Sequence, residues 1–127
     1  MYDDLNIVDR FIIDSSDYNI AKNIQIILNN KHIYIGNNNW KYYNNEVNQW
    51  YNDKFKKKLI NNIEQIVCNL ILTKINNLNK IKNEYDIDKQ NDINIKVNIL
   101  LNIINRINNR KKLNNIIKEA RQFFTHD

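Results

Sequence analysis

The chain has 127 residues, a net charge of +5 and a pI near 9.3, the size of one domain with a modest core. Its single cysteine excludes an internal disulfide, and its single glycine excludes the two-glycine loop that cradles nucleotide phosphates, so ATP hydrolysis by this chain alone is excluded. One Cys and two distant His, His32 and His126, cannot supply a zinc site. The basic balance permits an anionic partner without requiring one.

The composition is skewed: 24 Ile and 28 Asn stand against two Ala and no Pro. Asn forms helices poorly and prefers caps and turns, and A/T-rich codons explain the excess better than any folding requirement does. Met1 is followed by Tyr2, Asp3 and Asp4, which is no targeting signal. No apolar run reaches the ~18 residues of a membrane span, so a soluble intracellular protein without a membrane partner is expected.

Residues 1–14 are ambiguous between a short helix and a strand. Ser15, Ser16 and Asp17 offer cap oxygens for a helix to about Leu28, with Ile20, Ile24, Ile27 and Leu28 on one face. Residues 31–35 alternate as a strand, Gly36 and three Asn form a turn, and residues 40–43 read as the returning strand. Residues 44–49 are expected to be a polar loop delivering Trp50 and Tyr51. From Asp53 the period is helical: Phe55, Leu59, Ile63, Ile66 and Leu70 form a stripe that persists to about Ile81, with a bend or break near Asn76-Asn77. Residues 85–92 read as a charged loop. Ile93, Val97, Leu100, Ile104 and Ile107 mark a third helix, and Leu113, Ile116, Ile117, Ala120, Phe123 and Phe124 a fourth. The expected fold is mainly α: one domain, with a helix plus β-hairpin over 15–52 and a bundle over 53–127. About four helices and a small N-terminal hairpin make it winged-helix-like at most.

Two candidate chemistries fail on their surroundings. Cys68 sits mid-helix among Ile66, Val67 and Leu70, the setting of a core thiol rather than a nucleophile. Asp86-Ile87-Asp88 has the spacing of a two-metal carboxylate pair, but its polar flanks and the missing third ligand favour a solvated loop. Neither catalytic nor metal-binding residues nor a cofactor is therefore assigned.

Binding surfaces are better represented. Lys54, Lys56, Lys57 and Lys58 open the long helix, and Arg106, Arg110, Lys111 and Lys112 surround the turn before the last one. Cations at a helix N-terminus oppose its dipole by ~0.3–1 kcal/mol each, which favours an anionic partner, while a solvated lysine-rich face is the plainer alternative. Lys56, Lys57, Lys58, Arg110, Lys111 and Lys112 are the candidate phosphate contacts, for weak, sequence-independent binding with a salt slope of roughly −2 to −4. Trp40 and Trp50 are expected to cement the hairpin onto the helices, leaving Tyr42 or Tyr43 as the candidate stacking ring.

The order of SDYNIAK (residues 16–22), WKYYNNEVNQW (residues 40–50) and IIKEARQFFTHD (residues 116–127) resembles the domain N-terminal to the superfamily 3 helicase in poxvirus- and giant-virus-type primase-helicases and related phage and plasmid primases. The resemblance spans about residues 16–127. It implies a non-catalytic linker or collar that aids helicase assembly and guides DNA, with primase and helicase modules as partners beyond this chain. For a viral source it places the protein in the host cytoplasm or at a viral replication site. A module for homo-oligomerisation or other protein contacts, without nucleic acid, is the rival reading; Ile95, Ile99 and Ile103 form a second apolar stripe that would serve it. A free-standing winged-helix DNA binder is a third.

Overall fold

The computed structural model describes residues 4–125; residues 1–3 and 126–127, including His126, lie outside it. The chain is mainly helical, with a small antiparallel sheet. The elements run α1 (Asp4–Ile13), α2 (Asp17–Ile27), β1 (His32–Gly36), β2 (Asn39–Asn44), β3 (Gln49–Asn52), α3 (Lys57–Asn62), α4 (Cys68–Ile81), α5 (Ile87–Ile107) and α6 (Arg110–Ala120). A π turn, Ile63–Val67, joins α3 to α4, so the described residues form five helical rods rather than four.

Helix resolves the ambiguity of the N-terminal segment. Ile7, Val8 and Phe11 share the buried face of α1 while Ile13 is left in solvent. Ser16 caps α2 by accepting from Asn19 N at 3.2 Å, and the Asn19 amide donates to the carbonyls of Arg10 and Asp14 at 2.9 and 2.7 Å. One side chain thereby locks the α1–α2 corner.

The expected hairpin is a three-stranded meander in the order β1-β2-β3. The polar stretch after β2 turns through Asn48, at φ 54°, and re-enters the sheet as β3. Its register sets Trp40 opposite Tyr34 and Trp50 opposite Tyr43. Beyond β1, Tyr34 N donates to Phe124 O at 2.9 Å and Thr125 bridges Tyr34 in parallel, so the segment after α6 extends the sheet.

The expected break near Asn76-Asn77 does not occur; α4 runs through it, held by buried Ile75 and Leu78. The irregularity lies earlier. Ile63, Val67, Ile71 and Ile75 recur every four residues, and a regular helix would rotate them by about 40° per step. The wider π turn offsets that drift over the first step, and all four residues lie in the core. Residues 85–92 are likewise not a loop: Asp86 caps α5 by accepting from Lys89 N at 2.9 Å, and the helix starts at Ile87. Its carboxylate serves a backbone amide, and Asp88 is exposed in the first turn.

One core joins sheet and helices, from Val8 and Phe11 through Trp40, Leu59 and Ile63 to Leu113, Ile117 and Phe124. Trp40, 2% exposed, packs edge-on to Phe124 with centroids 5.4 Å apart. His32 is buried beside it, its Nε2 2.8 Å from Asn62 Nδ2. Arg106 donates to the carbonyl of Ser15 at 2.7 Å and pairs with Asp17, tying the end of α5 to the start of α2.

Candidate nucleic-acid interface

The link between β3 and α3 is a tightly hydrogen-bonded turn. Asp53, buried, donates its backbone amide to Trp40 O at 2.8 Å. Its carboxylate accepts from Lys58 N at 2.8 Å and Leu59 N at 2.9 Å. An acidic cap therefore sits on the α3 dipole and offsets the lysines that crowd the same end. Between cap and helix, Phe55 (φ 58°, ψ 24°) and Lys56 (φ 58°, ψ 25°) are both left-handed, a conformation costing ~1–2 kcal/mol per residue when it is not glycine. Phe55 is thereby turned out of the stripe it was expected to begin, and is 84% exposed.

Around this turn the two basic segments meet. Arg110 at the head of α6 lies 3.6 Å from Glu64 and lines, with Phe55, Lys57 and Lys58, an open groove of about 630 Å³. Lys56 titrates below its ordinary value, first through partial burial and then through the charges of Arg121, Lys118 and Arg110. On the other side of Phe55 a second groove, about 740 Å³, runs past Lys54 and Lys56 to the Asn37–Asn39 turn. Arg121 reaches that turn by pairing with Asn38, its guanidinium 5.1 Å from the Tyr34 ring centroid.

Of the six candidate phosphate contacts, Lys56, Lys57, Lys58 and Arg110 converge. Lys112 does not, lying about 200° round α6 from Arg110; Lys111, seven residues before Lys118 and so on its side of the helix, is exposed and lines neither groove. Lys118 and Arg121 take their place. Sequence reading missed them, although the steps from Arg110 to Asn114, Lys118 and Arg121 are the fours and threes of one helix face. Arg106 is committed to α2.

The aromatics divide between the two faces of the sheet. Tyr42 stacks on Tyr51 (5.9 Å, 30°) and carries Lys58 Nζ 5.5 Å from its centroid. Tyr43 meets Trp50 edge-on at 5.2 Å. Both tyrosines are half-buried and already engaged. The expectation that Trp50 is a core residue fails: it is 37% exposed. Trp40 and Tyr43 lie three residues apart on β2 and so face opposite ways, and Trp50 follows Tyr43.

Burial, then the Glu64 carboxylate, pushes the Cys68 thiol up to about 11, so it is protonated at neutral pH. No cluster of three or more metal-ligating side chains occurs among the described residues, and no described helix is long and apolar enough to cross a membrane. No family model matches the chain, and no curated protein or solved structure matches it.

Proposed function

We propose that this protein is a non-catalytic DNA-holding domain. It acts as the linker or collar between primase and helicase modules in viral-type replication, aiding helicase assembly and gripping DNA weakly through phosphates. One observation carries the DNA contact: Lys56, Lys57, Lys58 and Arg110 come from distant parts of the sequence and gather on one surface, joined by Lys118 and Arg121. Like charges gathered at a partly desolvated site are offset by an anionic ligand. The linker role rests on the sequence resemblance.

Three or four simultaneous phosphate contacts give a log–log salt slope of about −2 to −3 on a single strand. Titrating labelled single-stranded DNA at two salt concentrations tests this, with two charge-reversed proteins beside the parent. Lys57→Glu loses binding, whereas Lys112→Glu, on the far side of α6 from Arg110, loses far less. Equal losses, or no binding by the parent at low salt, reject the reading.

The outer side of the α4–α5 hairpin favours self-association as a second reading. Ile87 and Ile95 are 71% and 58% exposed, with Leu72 and Leu101 also in solvent. Light scattering that shows a strict monomer over a wide concentration range rejects it.

A further inference from the structure

We infer that Phe55 is the base-stacking residue of this surface, so that its ligand is a nucleic acid with unpaired bases. The inference rests on the phosphate-binding reading above and adds a ring to it.

A helix beginning regularly at residue 54 would carry Phe55 one turn before Leu59 and bury it. Instead, two successive left-handed residues turn the ring outward. The turn is no loose tether, because the backbone and carboxylate of Asp53 clamp its base through Trp40, Lys58 and Leu59. Strain concentrated where an apolar ring is presented to water marks a place where the ring has a use.

Its surroundings say which use. Phe55 is the ridge shared by both grooves. Lys57, Lys58 and Arg110 line one side; Lys54 and Lys56 line the other. A strand laid across the ridge meets cations before and after the ring, so its phosphates are held while a base falls onto the aromatic face. Lys54 Nζ stands 5.5 Å from the ring centroid, so a phosphate paired with Lys54 arrives beside the ring. In a duplex the base faces are already stacked and a side chain reaches them only by unstacking a step; unpaired bases offer them freely. A lipid surface fits less well, since an interfacial anchor needs a broad apolar face, and here the exposed ring stands between grooves whose walls are mainly polar and charged, with Glu64 and Asp53 among the lysines and asparagines.

The test uses the whole chain and three ligands: labelled oligothymidylate, an abasic strand of equal length and charge, and vesicles containing phosphatidylserine. Phe55→Ala is expected to weaken oligothymidylate binding about tenfold or more, while abasic binding and the salt slope stay as in the parent. Phe55→Trp should retain affinity, with its added emission quenched by oligothymidylate and not by the abasic strand. Phe55→Gly, which suits the left-handed backbone, should melt no lower than the parent and still lose the base-dependent part, separating binding from folding. If parent and Phe55→Ala bind both strands alike, Phe55 has no stacking role and the phosphate reading stands. Parent protein that binds neither strand at low salt overturns both. Vesicle binding that depends on Phe55, with oligothymidylate binding that does not, assigns the ring to a lipid surface instead.

Discussion

Asp53 accepts the backbone amide of Lys58 at 2.8 Å across five residues of chain, and this one contact makes the left-handed turn between them possible. A conventional cap reaches two or three residues ahead. Asp53 reaches further because the intervening residues double back, and its second oxygen takes Leu59 N.

Asp53→Ala removes the cap and leaves two amides at the start of α3 without an acceptor. We expect a loss of ~2–4 kcal/mol, combining a lost cap with newly unpaired buried donors. Urea unfolding measures it, and a loss below about 1 kcal/mol would show that the turn holds itself.

Lys56→Gly should act in the opposite direction. Glycine occupies the left-handed region without a Cβ penalty, so relief of ~1 kcal/mol is expected at φ 58°. A higher melting temperature checks it. A lower one would mean that the lysine stem packs well enough to outweigh the strain.

The two tryptophans should behave differently on truncation. Trp40→Ala opens a cavity at the junction of sheet and helices and costs ~3–5 kcal/mol. Trp50→Ala, on the open face, should cost under ~1 kcal/mol. Equal losses in thermal melts would place Trp50 in the core after all.

His32 makes stability sensitive to acid. Burial, opposed in part by Asp53 and assisted by Lys31, lowers its pKa from 6.5 to about 4. The Asn62 amide donating to Nε2 likewise fits the neutral ring. The unfolded chain binds the proton near 6.5 and the folded chain only near 4. Between those values the unfolded state holds more protons, so stability falls as pH drops through the window and levels off beneath it. At ~1.4 kcal/mol per pH unit the full loss is about 3 kcal/mol. Urea unfolding at pH 7 and pH 4.5 should show most of it in the parent and little in His32→Gln. Matching curves would put the acid sensitivity elsewhere.

What was readable in the sequence was whatever repeats at a helical period or caps a helix by local hydrogen bonding. The apolar faces of α2, α5 and α6 and the Ser16 cap belong to this class. The exposure of Trp50 was not readable, because it depends on a cross-strand register that pairs Trp50 with Tyr43 rather than with Trp40. Phe55 was misread because a side chain five residues from the helix amide it caps leaves no periodic trace. In a chain with one glycine, Asn30, Asn37, Asn38 and Asn48 take the left-handed turn positions, where Asn is the best tolerated of the larger residues. Lys56, Lys57, Lys58 and Arg110 were legible as basic runs, and Lys118 and Arg121 only as one flank of α6, visible once that helix had a partner.

The strap from Tyr34 to Phe124 closes a loop of about ninety residues, among the most separated contacts in the chain, and such closures come late in folding because their entropy must be met before they reward it. Until α6 seats against α2 and the segment after it joins the sheet, Arg110, Lys118 and Arg121 remain apart from Lys56. The proposed grip on an anionic strand therefore requires the folded arrangement of α6 and the sheet. A chain in which α6 has not yet docked carries the same charges without assembling them, so on this proposal its affinity for a strand arises only with that docking.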